Sequence, residues 1–293
     1  MRPLKIIVLA KQVPDTRHVG SDAMKPDGTV NRGKLATVFN PDDFHALELA
    51  LNIKDRIPGT EVTVLTMGPK RAADIIREGY YRGADKGVMI SDRRFGGADT
   101  LATSYTIVKG IEKLAPYDLI LGGRQAIDGD TAQVGPQCAE KLNIPQVTYV
   151  EEIVDIQDDL IIARRRLEKG VETVSSPFPC LMTVHGSSPD CRSRHAKKVM
   201  KYKYARTNTE LSSKKTDEVI KSLHEKRPYL TIPEWSVEDI EAELSKIGLP
   251  GSPTKVKSVE SIVLTASEAK ILSDSDSDIE SMIKELIEHH TIG

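Results

Sequence analysis

A doubly wound α/β fold with a mostly parallel sheet is what this sequence predicts, and three observations carry that reading. Short β-branched and aliphatic runs such as Ile6-Ile7-Val8-Leu9, Val62-Thr63-Val64-Leu65 and Leu119-Ile120-Leu121 lack the polar alternation of a one-sided sheet. Strands that read this way are covered on both faces. Segments of helical period separate the runs, and glycine-bearing turns follow directly after them. Strands alternating with helices of about 10–15 residues imply parallel pairing with helices on both faces.

The elements follow in order. Residues 4–10 form the first buried strand. The basic start, Met1-Arg2-Pro3, followed by an apolar run resembles a signal peptide, but the run is too short and Lys11-Gln12 ends it without a small-residue cleavage site. A long polar segment from Val13 to Thr37 carries the turn signals Pro14, Gly20, Pro26-Asp27-Gly28 and Gly33. Asn40-Pro41-Asp42-Asp43 opens a helix, with Asn40 as N-cap, Pro41 at the first position and two acids in the first turn. Phe44, Leu47 and Leu51 mark its buried face. Val62–Met67 is a strand, Gly68-Pro69 turns into a helix from about Lys70 to Tyr80, and Val88–Ile90 is a short strand. Asp99-Thr100 caps a helix to about Leu114, and Tyr117–Leu121 is a strand ending at Gly122-Gly123. After Pro145 the pattern changes to short strands around Glu168-Lys169-Gly170, a hairpin-like insertion before the last strand, Cys180 to Val184.

Beyond His185 the regularity dissolves. Basic residues from Arg192 to Lys203 give way to a polar stretch, then to Trp235, Pro250-Gly251-Ser252-Pro253 and a Ser-Asp run at 273–278. Ile279, Met282, Ile283 and Leu286 recur at helical spacing. These anchors, with Ile232, Leu244, Ile247 and Leu249, are too scattered for a core of their own. The sequence therefore divides into a nucleotide-binding α/β domain, 1–184, and an arm, 185–293, expected to lie on another surface. The basic cluster reads as a solvated face rather than a docking patch.

Composition narrows the function. Lys and Arg number 41 against 43 Asp and Glu, so the net field favours neither nucleic acid nor an anionic membrane. No run approaches the ~20 apolar residues of a membrane span. Cys138, Cys180 and Cys191 form no CxxC pair, which argues against a disulfide framework or zinc site and suits a reducing cytosol.

The densest chemical signal is Leu121-Gly122-Gly123-Arg124-Gln125-Ala126-Ile127-Asp128-Gly129-Asp130-Thr131-Ala132-Gln133-Val134-Gly135-Pro136. It leaves the carboxyl end of a buried strand and enters a helix, where open α/β sheets place their ligands. Glycines admit a close ligand, Asp130 or Thr131 can cap the helix, and free N–H groups at its start suit a pyrophosphate. Arg124 adds positive charge. The run is neither a GxGxxG fingerprint nor a P-loop, so spacing alone leaves the ligand unnamed and an ordinary capped turn open. Three more loops follow strands and could converge there: Ala10–Pro14, Thr66–Pro69 and Ser91–Thr103.

At these residues the chain resembles the beta subunit of electron transfer flavoproteins. The resemblance runs through Lys11–Thr16, Asn40–Asp43, Met67-Gly68-Pro69, Gly83-Ala84-Asp85, Ala98–Ser104 and Gly123–Thr131. The stretch from Ala163 to Thr183, with Arg165, Glu168, Gly170, Glu172 and Pro179, is similar to that subunit's signature, although Lys169 departs from it. It covers residues 1–184 and touches the chain again at Gly251–Val256. It implies an adenine nucleotide alpha-hydrolase-like fold, a heterodimer with an alpha subunit, and no acid–base residue of the chain's own. It also implies a cofactor site drawn from Leu9, Ala10, Lys11, Asn40, Asp43, Met67, Gly68, Asp99, Thr100, Thr103, Gly123, Arg124, Gln125, Asp128, Gly129, Asp130, Thr131, Ala132, Gln133, Val134 and Gly135.

The resembled family has two branches. In one the subunit holds AMP. In the other a second FAD fills the same site, takes a hydride from NADH and divides electrons between ferredoxin and a dehydrogenase. The run Asp128–Pro136 is similar to the bifurcating branch, with Gly129 where the housekeeping branch carries a bulkier acid. Arg124 is the residue expected to stabilise a reduced flavin. Gly186–Arg192 departs from the family's usual stretch before the partner-recognition loop, so the dehydrogenase is open. The arm is expected to wrap the alpha subunit. A nucleotide-sensing module without redox work is the rival of another class.

Overall fold

The computed structural model describes residues 2–15, 36–213, 216–254 and 271–289. In chain order the elements are β1 (Lys5–Leu9), β2 (Gln12–Pro14), β3 (Thr37–Phe39), α1 (Pro41–Arg56), β4 (Glu61–Met67), α2 (Ala73–Arg82), β5 (Lys86–Ile90), α3 (Thr100–Lys113), β6 (Leu119–Gly123), α4 (Val134–Leu142) and β7 (Gln146–Ile156). They continue with β8 (Leu160–Leu167), β9 (Gly170–Pro177), β10 (Cys180–Val184), α5 (Ala196–Tyr202), β11 (Arg206–Thr207), α6 (Asn208–Leu211), α7 (Glu218–Lys226), β12 (Thr231–Ile232), β13 (Glu234–Trp235) and α8 (Asp276–Glu288).

Nine strands form one sheet in the order β13-β5-β4-β1-β6-β10-β7-β8-β9. Pairing is parallel from β13 through β7 and antiparallel from β7 to β9. The apolar runs explain the layering. Successive side chains of a strand alternate faces, so Ile6 and Val8 of β1 pack with Leu47, Leu51, Ile75 and Ile76 of α1 and α2. Ile7 packs on the other face with Val108 and Ile111 of α3, Cys138 of α4 and Ile120 of β6. Each fully buried aliphatic side chain stabilises by roughly 1.5–3 kcal/mol. The doubly wound class predicted from the runs is the one observed.

Several local expectations are corrected. The polar segment after β1 is not loop throughout: β2 and β3 pair across it, Gln12 opposite Phe39, and its remaining turn signals lie outside the described residues. Asn40 precedes α1 but makes no side-chain cap bond. Its amide is used elsewhere, as shown below. Neither Asp130 nor Thr131 caps α4, which begins at Val134 behind Gln133. Pro136 sits in the first turn of that helix, where its missing N–H costs nothing.

The strands after α4 are longer than expected, 11, 8 and 8 residues. β7 bends where Thr148 and Tyr149 bulge out between its pairings with Met182 and Val184, and Tyr149 takes φ 59°. A bulged residue re-aims its strand. Past the bulge, Arg56 at the end of α1 donates to the Ile153 carbonyl at 3.3 Å. β8 and β9 complete the meander, and Phe178-Pro179 leads into β10.

The segment after 184 does find a core. Leu230, Ile232, Val237, Ile240 and Ile247 are buried, and β13 pairs with the sheet edge at β5, Glu234 opposite Met89 and Trp235 opposite Ile90. Arg94 clasps Asp92 and Glu238, fastening this return to the loop after β5. Leu244 and Leu249 stay exposed, as do Ile279, Met282 and Ile283 of α8, which buries no residue at all. Among the described residues no helix is long and apolar enough to cross a membrane.

Candidate functional site

The loops that leave β1, β4, β5 and β6 meet at the carboxyl edge of the parallel strands. Lys11, just past β1, donates from Nζ to Asp128 Oδ1 at 2.7 Å, tying the first loop to the loop after β6. Gln12 Nε2 donates to the Arg71 carbonyl at 3.0 Å, tying the first loop to the segment after β4. Thr100, at the start of α3, donates to Gln133 Oε1 at 2.7 Å, tying the loop after β5 to the loop after β6. Hydrogen bonds thus tie together the segments that follow these four strands.

The start of α1 lies beneath them. Asp43 is buried, and its two carboxylate oxygens accept from Lys11 N at 2.8 Å and Gly123 N at 2.9 Å. Asn40 is wholly buried, donating to the Gln125 carbonyl at 2.8 Å and accepting from Ile127 N at 3.2 Å. Burial pushes the Asp43 carboxyl up to about 7, against the opposing effect of the donors from Lys11, Asn40 and Gly123. Gly123 is obligatory here: a Cβ would stand 2.5 Å from Asp43 Oδ1 and 2.6 Å from the Asp42 carbonyl carbon.

The long loop lies over this base. Asp128, Gly129, Asp130 and Thr131 are exposed, and Gln125 Nε2 is anchored on Asp130 Oδ1 at 2.8 Å. Asp130 and Ala132 take φ 49° and 53°, left-handed conformations that are uncommon for side-chain-bearing residues. Such turns direct successive N–H groups to one side and make anion-binding concavities. A Cβ at Gly129 would meet nothing within 4 Å. Gly135 is different, because a Cβ there would stand 2.7 Å from Thr183 Cγ2, so packing against β10 demands this glycine. Ala10 is buried, Leu9, Met67, Gly68, Thr103 and Val134 half-buried along the same edge.

Arg124 Nε and Asp42 Oδ2 are buried 3.4 Å apart, and neither atom makes a hydrogen bond. Arg124 is therefore not a free cation, and the charge expected to act on a ligand is partly compensated by Asp42. His185, just past β10, is held below its ordinary range by burial and then by Arg124 and Arg166. The far rim is closed by the chain's own later segment. Asp99 caps α3 through Ala102 N at 3.0 Å, its other oxygen accepts from Thr254 N at 3.1 Å, and its own N–H donates to Ser252 Oγ at 2.8 Å. Burial works to raise the Asp99 carboxyl, but the N–H groups of Ala102, Thr254 and Leu101 outweigh it and hold it low.

Asp42, Ser252 and Thr254 were absent from the predicted set. Asp42 read as an acid in a first helical turn and Gly251-Ser252-Pro253 as punctuation, both within stretches that carry the family resemblance; nothing local shows that either reaches the rim.

Comparison with known proteins adds the decisive observation. The model of the electron transfer flavoprotein domain matches residues 27–208, more than half of the chain. The chain belongs to the electron transfer flavoprotein family. Its similarity to the electron transfer flavoprotein beta subunit of Clostridium acetobutylicum is 43% identity over 254 residues, 87% of this chain and 86% of that one. It is 40% identical over 292 residues to the acryloyl-CoA reductase electron transfer subunit gamma of Anaerotignum propionicum, covering 99% and 100% of the two chains. With the caffeyl-CoA reductase-Etf complex subunit CarD of Acetobacterium woodii it shares 53% identity over 180 residues, 61% of this chain and 68% of that one. Within the family the chain is thus of the beta-subunit kind, and the matched residues include the loops after β4, β5 and β6.

Proposed function

We propose that this chain is the beta-type subunit of a heterodimeric electron transfer flavoprotein, with FAD rather than AMP on the carboxyl-edge site. In this reading NADH is the donor, electrons are divided between ferredoxin and a partner dehydrogenase, and the alpha subunit carries the second flavin. The observation that supports it best is the knitting of four post-strand loops around a segment whose Gly129 faces open space. Relatives named as electron transfer subunits of CoA-ester reductases support pairing with a dehydrogenase.

The residues present fit a dinucleotide. The left-handed turns at Asp130 and Ala132 and the uncapped start of α4 offer N–H groups to a pyrophosphate. Asp128 neutralises Lys11 and Asp42 neutralises Arg124, so both cations are held in place and can shift toward an anion. A bound flavin supplies the hydride-accepting and one-electron chemistry. The chain's part is to bind, orient and tune, with the Arg124–Asp42 pair setting the local charge. The exposed apolar stripe of α8 is, in the same reading, a contact for the alpha subunit.

The test is a flavin count on the heterodimer. Two flavins, of which Gly129→Leu loses one while the fold persists, is the expected result. One flavin with AMP at this site would overturn bifurcation and leave a simple carrier; a colourless preparation would favour a nucleotide sensor.

A further inference from the structure

The sequence placed Asn40 and Asp43 among the ligand contacts, and in the structure every polar atom of both side chains already has a backbone partner. Both carboxylate oxygens of Asp43 accept backbone N–H groups, one from Lys11 past β1 and one from Gly123 at the end of β6. Both amide atoms of Asn40 are engaged by the loop after β6, and its own N–H donates to the Lys11 carbonyl at 3.0 Å. We infer that Asn40 and Asp43 are positioning residues for the nucleotide: from beneath, they fix the backbones of the chain after β1 and of the exit of β6, between which the ligand lies. The inference rests on the adenine-nucleotide reading of the site.

The physical argument is one of satisfaction and register. Helix α1 starts with two polar side chains that serve not their own helix but the strands' exits. Lys11 follows β1 and Gly123 ends β6, two neighbouring strands, and a single carboxylate bridging their N–H groups fixes one exit against the other. Gly123 must be glycine for that approach, so the fit is specific to this arrangement. Two donors on two oxygens call for the ionised form, which burial opposes. The charged groups around it are Asp42 on α1, Lys11 paired with Asp128, Arg124 paired with Asp42, and His185 after β10. Protonation removes one acceptor and releases one loop, so ligand affinity should follow the ionisation of Asp43.

The test uses the full chain, wild type and Asp43→Asn, with AMP as probe because both ligand readings place an AMP moiety here. Without ligand, amide exchange at one of Lys11 and Gly123 should rise about tenfold in Asp43→Asn. Wild-type AMP affinity should fall by up to about tenfold from pH 8 to pH 6, beyond any slope from AMP itself, which Asp43→Asn measures in parallel. The variant should bind weakly at both pH values. Should it not fold, wild-type amide exchange at Lys11 and Gly123, taken relative to the intrinsic rate, should rise from pH 8 to pH 6 in step with the loss of AMP affinity. Unchanged exchange, or an affinity and slope like the wild type's, overturns the inference alone. A wild-type chain that does not bind AMP overturns the nucleotide reading and the inference with it.

Discussion

Two glycines 6 residues apart, one in the loop after β6 and one at the start of α4, answer different demands. Gly135 is packed against Thr183 of β10, and Gly129 faces open space. Gly135→Ala should therefore overpack the α4–β10 contact and destabilise by about 1–3 kcal/mol, whereas Gly129→Ala should leave the melting temperature unchanged. Equal melting temperatures for the two variants would refute the packing account. The sequence made both visible as glycines of one run but could not separate them. The distinction depends on Thr183, 48 positions beyond Gly135, which a local reading does not bring near. Asn40 and Asp43 show the same limit. Their types and helix-start position were legible; their direction, away from their own helix toward Gly123 and Ile127, was not.

At the level of elements, the central strands were legible because they are buried on both faces and carry no alternation. β13 was not, since two residues make no periodic signal, and its role comes only from pairing with β5. The same holds for the fastening behind it: Ile247 is buried against a cluster that includes Phe95 and Val237, although it stands alone in the sequence. Ile247→Ala should cost about 2–5 kcal/mol, read as a shifted denaturation midpoint with an unchanged slope. A loss below about half a kcal/mol, typical of surface positions, would show that this return is only loosely seated. The bend of β7 was likewise hidden, since Tyr149 is a residue that sequence reasoning places in extended backbone.

For the whole molecule, the boundary expected at 184 does not coincide with the end of the packed body. Residues up to Thr254 contribute buried side chains and rim contacts, so truncation near Glu225 would remove Leu230, Ile232, Val237, Ile240 and Ile247 from the interior. Truncation after Thr254 is the better probe of the arm, because it deletes α8 and keeps those residues. The shortened chain should unfold cooperatively with nearly wild-type stability yet fail to co-purify with the alpha subunit. Retention of the partner at full strength would assign that contact to the body. The sequence read the arm's apolar anchors as too scattered for a core of their own; it could not say that, among the described residues, those up to Thr254 share the core of the domain before them.

Strand order also has a history in time. β5 receives its outer neighbour from Glu234 and Trp235, roughly 140 residues later in the chain. A ribosome adding about 5–20 residues per second leaves that flank of the nascent sheet uncovered for on the order of ten seconds or more. Met89 and Ile90 thus offer unpaired backbone to any passing extended segment during synthesis, and the rim at Asp99 waits longer still for Ser252 and Thr254. The newborn chain is consequently most prone to wrong pairing at the flank that the finished protein covers with only two residues.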